Sequence, residues 1–125
     1  MPTSPQGADR VELRGLRALG ICGVLPEEQE RPQPLEVDLD VITDLATAGA
    51  SDDLVDTVDY GSIAADVEQI IVFERFALLE RLAQRIAEAV LVNDRVIEVT
   101  VAVRKLRPPV PQQLDTSGVR ITRGR

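Results

Sequence analysis

Val99-Thr100-Val101-Ala102-Val103-Arg104-Lys105-Leu106-Arg107-Pro108-Pro109-Val110-Pro111 reads as a strand that runs into a proline-locked turn. Ile97, Val99, Val101 and Val103 occupy alternate positions and so share one face. Lys105 is next in that series, on the side of the apolar row and just where the strand runs out. Pro108, Pro109 and Pro111 cannot donate to a ladder and hold the exit extended. Lys105 is also the only lysine in the chain; every other basic residue is arginine. Burial lowers an ammonium pKa, so a lysine at this place is a candidate proton carrier. A surface lysine that snorkels past the sheet edge fits the same pattern, and the stretch alone leaves both readings open.

Before this strand the chain offers four further elements. Arg10 to Ala18 alternates weakly, with Val11 and Leu13 on one face, and reads as a strand interrupted near Gly15. Leu19 to Pro34 carries Gly20, Gly23, Pro26 and Pro32 around the acids Glu27, Glu28 and Glu30, and reads as a long loop of the kind that often holds function. Leu35, Val37, Leu39 and Val41 alternate strictly with Glu36, Asp38 and Asp40, which predicts a strand with one buried and one wet face. Asp44 to Thr57 is a polar connection. Asp59 can cap a helix from Tyr60 to about Val72, with the stripe Ile63, Ala64, Val67, Ile70 and Ile71. A second helix is predicted from about Ala77 to Leu91, with Leu79, Leu82, Ala83, Ile86 and Val90 at helical spacing. A last short strand falls near Val119 to Thr122. This order predicts an α+β fold: an antiparallel four-stranded sheet with both helices on one face. Its two open edges favour assembly through strand pairing.

Composition bounds the chemistry. The 125 residues, 44% hydrophobic and 28% charged, suit one domain, expected at 9–122 between a flexible arm at 1–8 and a short basic tail at 123–125. A net charge of −7 argues against nucleic acid as the partner, since that attraction needs a cationic surface. With no histidine and one cysteine, Ser-His-Asp and Cys-His systems and the usual zinc sites are excluded. Cys22 has no partner for a disulfide, which fits a reducing compartment. The polar start to Asp9 and the lack of any long apolar run lead to the expectation of a cytoplasmic protein with no signal peptide and no membrane span.

With these elements in place, the chain resembles the dihydroneopterin aldolases, folate-pathway enzymes of the tunnelling fold, from about Asp9 to Thr122. Five pieces in order carry the resemblance: Val11-Glu-Leu-Arg-Gly-Leu16, Gly23-Val-Leu-Pro-Glu-Glu28, Ser51-Asp-Asp-Leu-Val-Asp-Thr-Val-Asp-Tyr-Gly61, Leu78-Leu-Glu-Arg-Leu-Ala83 and Lys105-Leu-Arg-Pro-Pro-Val-Pro111. The resemblance implies a retro-aldol cleavage without metal or cofactor. 7,8-Dihydroneopterin yields 6-hydroxymethyl-7,8-dihydropterin and glycolaldehyde, with the pterin imine as electron sink. It also implies a homotetramer or homo-octamer closed into a β-barrel, with sites between subunits.

Residue by residue, Lys105 matches the family's proton-transfer lysine. Glu28 matches the loop glutamate that holds the lysine and the substrate hydroxyls. Tyr60 matches the tyrosine that helps protonate carbon after cleavage. Glu80 matches the acid that accepts pterin N–H groups, Leu79 contributes backbone, and Thr57, Val58 and Val24 line the pterin pocket. On residue type alone, Glu28 reads as a solvated acid and Glu80 as a carboxylate complementing a helix dipole, while Tyr60 reads as well as a half-buried aromatic. Three positions depart from the family pattern: Cys22 stands where a histidine is common, Asp59 where a ring-bearing residue is common, and Gln112-Gln113 where glycine is common. Cys22 reads as a buried filler or a reactive thiol. An epimerase or oxygenase acting on the same pterin, or a pterin-binding assembly protein with little turnover, are the alternatives on this scaffold.

Overall fold

The computed structural model describes residues 9–125, so the arm expected at 1–8 lies outside the described residues. In chain order the elements are β1 (Arg10–Cys22), α1 (Pro26–Glu30), β2 (Gln33–Ile42), α2 (Ala46–Ser51), a 3-10 turn (Leu54–Asp56), α3 (Tyr60–Phe73), β3 (Arg75–Phe76), α4 (Leu79–Val90), β4 (Glu98–Lys105) and β5 (Ser117–Gly124). The sheet order is β3-β1-β2-β4-β5. The pairs β1–β2, β2–β4 and β4–β5 are antiparallel, as expected. The short β3 adds a parallel pair with β1, which corrects the expected four strands to five. Two residues are too few to produce a period-2 signal, and the chain between α3 and α4 reads from sequence as a plain connection.

The alternating stretches build the core. Leu35, Val37, Leu39 and Val41 are buried, as are Val99, Val101 and Val103, and the register stacks them as Val37 on Val103, Leu39 on Val101 and Val41 on Val99. Ile63, Val67, Ile70 and Ile71 of α3 and Leu82, Ala83, Ile86 and Ala87 of α4 complete one cluster with these rows. Asp59 caps α3 as its residue type predicts, its Oδ1 accepting from the amides of Gly61 at 3.0 Å and Ser62 at 3.3 Å. The opposite sheet face is a charge lattice. Arg104 reaches Glu36 at 2.8 Å and Asp38 at 2.6 Å, and Arg14 reaches Asp40 at 2.6 Å.

β1 is longer than its pattern suggests. At Gly15, where φ is +70°, the pairing with β2 shifts between Leu13 and Leu16. An extra residue of this kind reverses which positions face inward. Before it Val11 and Leu13 point to the core; after it Leu16, Ala18, Gly20 and Cys22 do. The alternation therefore breaks mid-strand, and the expected loop at 19–34 shrinks to the stretch around α1. Gly20, read from sequence as a turn residue, is a strand position against α3: a Cβ there would lie 2.5 Å from the Ile71 carbonyl oxygen.

Two further boundaries differ. The polar connection 44–57 contains α2 and the 3-10 turn, both too short for a periodic signal. The expected basic tail at 123–125 is instead joined to the sheet through Gly124, and Arg125 Nε donates to the Val96 carbonyl at 2.8 Å. The same guanidinium donates to the Leu91 and Asn93 carbonyls just beyond the C-terminus of α4, where no intrahelical donor is available.

Candidate functional site

Three registers gather the ends of the sheet at one pole. Gly20 pairs with Gln33, Leu35 with Lys105, and Cys22 with Phe76. The end of β1, the start of β2, the end of β4 and, through β3, the start of α4 thus meet there. α1 closes the β1–β2 connection at the same pole.

Glu28 lies in α1 and turns inward, 8% exposed, while Glu27 and Glu30 are exposed. Gly23 makes this possible: a Cβ at that position would lie 2.5 Å from the Cβ of Glu28. Lys105 continues the apolar row of β4 past the helices, and its Nζ donates to Glu28 Oε2 at 2.6 Å. Their side chains are 13% and 8% exposed, so the charge-assisted bond is largely shielded from water. Gln33 Nε2 donates to the same carboxylate oxygen at 3.3 Å and to the Cys22 carbonyl at 2.8 Å. The Leu25 amide donates to Glu28 Oε1 at 3.4 Å. Burial pushes the Glu28 carboxyl up, but the hydrogen bonds from Lys105, Gln33 and the Leu25 amide outweigh it and hold the carboxyl below its ordinary 4.5. The result is an ionised acid fixed against an ammonium group, an arrangement able to orient a proton donor.

Cys22 is fully buried beneath this pair. Burial, together with the charges of Glu28 and Glu80, pushes its thiol up to about 11 against the opposing pull of Lys105. It is a protonated filler, not a nucleophile. Glu80 is exposed on the first turn of α4, whose start has no side-chain cap. Leu79 sends its side chain into the core, 9% exposed. Val24, beside Gly23, is 69% exposed.

The remaining expected residues lie elsewhere. The C-terminal part of α3 packs at the Glu28 pole, with Ile71 against Gly20. Tyr60 is at the other end of that helix, roughly 16 Å away at 1.5 Å per residue. The 3-10 turn before Thr57 is tied to Arg95, whose Nη2 donates to the Val55 carbonyl at 2.6 Å. Arg95 precedes β4 and Lys105 ends it, a separation of roughly 23 Å along an extended strand. Thr57 is half-buried, Val58 is buried and Tyr60 is 66% exposed. One protomer therefore brings Lys105, Glu28, Glu80, Leu79 and Val24 to one pole and holds Thr57, Val58 and Tyr60 at the other.

Residue-type reasoning did not single out Gln33 or Gln29. Gln33 has the same parity as Leu35, Val37, Leu39 and Val41, so extending that row by one step marks it as inward-facing. Gln29 Nε2 donates to the Phe76 carbonyl at 3.0 Å, and Arg75 Nη1 donates to the Gln29 carbonyl at 2.9 Å. These bonds fix α1 to β3, and no local pattern announces them.

A family model for dihydroneopterin aldolase matches residues 11–122. The chain is 40% identical over 116 residues to a dihydroneopterin aldolase of Staphylococcus epidermidis, covering 92% of this chain and 96% of that one. It is 43% identical over 117 residues to one of Streptomyces coelicolor, covering 94% and 98%. The structure is similar to that of E. coli dihydroneopterin aldolase in complex with neopterin, with a TM-score of 0.85 and 33% identity over 93% of this chain and 99% of that one.

Proposed function

The chain belongs to the dihydroneopterin aldolase family, aldehyde-lyases of folate biosynthesis, and from that premise we propose that Lys105, Glu28 and Tyr60 carry the cleavage. The observation that supports this most directly is the shielded 2.6 Å contact between Lys105 and Glu28. In the proposed reaction, 7,8-dihydroneopterin loses the proton of a side-chain hydroxyl, through water, to Lys105 in its amine form, which becomes the ammonium group that Glu28 holds. The neighbouring carbon–carbon bond breaks, glycolaldehyde leaves, and the bonding electrons pass into the pterin imine. Tyr60 helps return a proton to the carbon, giving 6-hydroxymethyl-7,8-dihydropterin. Glu28 stays ionised to orient both the lysine and the substrate hydroxyls, a role that its lowered pKa suits.

Glu80 is the proposed acceptor for the pterin's amino and ring N–H groups, since a carboxylate offers two oxygens in one plane. The uncapped start of α4 supports a backbone role for Leu79. Val24, Thr57 and Val58 line the rest of the pocket. Neopterin in the E. coli relative supports a pterin ligand. The two poles of the protomer lie too far apart for one substrate to touch both. That separation supports sites built between subunits of a homotetramer or homo-octamer, closed as a tunnelling-fold barrel through the open edges of β1 and β5. The reading takes 9–122 as one catalytic domain working in the cytoplasm; among the described residues no helix is long and apolar enough to cross a membrane.

The test is an anaerobic incubation with 7,8-dihydroneopterin, resolving pterin products and assaying glycolaldehyde. Equal release of 6-hydroxymethyl-7,8-dihydropterin and glycolaldehyde is expected. Lys105→Ala should abolish both while retaining pterin binding. Epimerised or oxygenated pterin without glycolaldehyde would replace the aldolase reading. Binding without product would remove the roles given to Glu28, Tyr60 and Lys105.

A further inference from the structure

Arg95 stands outside every role above, yet its side chain makes an unusual tie. Nη2 donates to the Val55 carbonyl at 2.6 Å and Nη1 to the Asp56 carbonyl at 3.3 Å. One planar guanidinium thus spans two consecutive carbonyls, immediately before Thr57 and Val58. Its own backbone is fixed on both sides. The Arg95 amide donates to Asn93 Oδ1 at 2.9 Å, and its carbonyl accepts from the buried Thr43 hydroxyl at 2.7 Å. The anchor is therefore held at both its amide and its carbonyl.

The segment that Arg95 ties has little else to hold it. Ser51 bonds Asp56, Asp53 accepts from the Val55 amide, and the amides of Asp56 and Thr57 donate to Asp53 and Leu54. Among the described residues, the hydrogen bonds of 52–57 stay within 48–57 except for the two from Arg95. Leu54 and Val55 are 63% and 69% exposed, so within the protomer apolar packing holds the segment only at its end, through the buried Val58. Tyr60, by contrast, is held separately by the Asp59 cap of α3.

We propose that Arg95 is a positioning residue for pterin binding, a clamp that sets the backbone carrying Thr57 and Val58 into the pocket. This rests on the reading of that segment as part of the pterin site. A lysine lacks the forked geometry and can replace only one of the two bonds. Losing the clamp lowers the fraction of binding-competent segment, and apparent affinity falls by that fraction. Turnover of bound substrate is spared, because the Lys105–Glu28 pair and Tyr60 are anchored independently.

The test compares Arg95→Met, Arg95→Lys and Thr57→Arg in the assembled protein, titrating neopterin by its fluorescence and assaying 7,8-dihydroneopterin cleavage. Arg95→Met is expected to weaken neopterin about tenfold, the scale of one modest interaction, with kcat unchanged, the oligomer mass retained and the thermal midpoint near wild type. Arg95→Lys should fall between wild type and Arg95→Met, and it carries the comparison if Arg95→Met does not fold. If Thr57→Arg weakens neopterin and neither Arg95 variant does, the clamp is wrong and the pocket reading stands. If none of the three weakens neopterin, both fail. Parallel falls in kcat and thermal midpoint would make Arg95 merely structural and overturn the proposal.

Discussion

At Glu28 three donors, the Lys105 ammonium, the Gln33 amide and the Leu25 backbone amide, converge on one buried carboxylate. Removing Lys105 leaves burial opposed mainly by Gln33, so the carboxyl of a Lys105→Met variant should titrate higher than in the wild type. In the wild type the folded value lies below the ordinary 4.5. Its contribution to stability is therefore present above 4.5 and is lost as the pH falls through the folded value. The variant has less of this contribution to lose. The stability gap between the two should be widest near neutral pH and should close on acidification, finishing only below 4.5. Urea unfolding across that range checks it, and a gap independent of pH would mean that Lys105 does not set the charge of Glu28. Lys105 was legible as a candidate because it continues an alternating row into a proline turn. Glu28 was not: among Glu27, Glu28 and Glu30 only the turn of α1 decides which acid points inward, and the resemblance alone gave it a role.

The join between β1 and α3 depends on a missing side chain. A Cβ at Gly20 would lie 2.5 Å from the Ile71 carbonyl oxygen and 2.7 Å from its Cγ2, and neither the buried isoleucine nor helix backbone can move aside without cost. Gly20→Ala should destabilise the protein by about 2–3 kcal/mol, the scale of overpacking. Gly15→Ala has open space around it but keeps φ at +70°, so only backbone strain opposes it, about 1 kcal/mol. Urea midpoints with matched slopes should rank the two in that order; the reverse order would mean that α3 yields more readily than the bulge. Strands and helices were legible wherever one period ran unbroken, as in β2, β4, α3 and α4. β1 was cut short because the bulge exchanges its faces, and Gly20 and Gly23 resembled turn signals because close approach and turning select the same residue. β3 and the 3-10 turn carry no period at all, and only long-range pairing creates them.

A single protomer holds half of the proposed site at each pole, so the proposed reading makes an assembly of subunits the unit in which chemistry becomes possible. β5 pairs only with β4, and β1 from Arg10 to Gly20 pairs only with β2, among the described residues. Such edges invite pairing with another copy, and a rotation that closes on itself gives a ring. The order of strands already implied edges in need of partners, but no property of one chain reports which pole meets which. The proposed sharing of sites has a sharp consequence in mixtures. Lys105→Ala disables one pole and Tyr60→Phe the other, so each variant alone should have little aldolase activity. Co-refolded in equal amounts, the two chains assort at random around the ring. A working site then needs its lysine from a Tyr60→Phe chain and its tyrosine from a neighbouring Lys105→Ala chain. Two independent even chances give roughly a quarter of wild-type activity per site in a closed symmetric assembly. Mixing wild type with the doubly substituted chain should give the same quarter, because each shared site again needs two intact contributors, whereas sites confined to one chain would keep about half. Activity that rises on co-refolding and vanishes when the subunits are kept from exchanging requires a shared site. No rise in any mixture would confine Lys105 and Tyr60 to separate tasks within one chain, and the distance between the two poles would then have to be closed by motion, not by a partner.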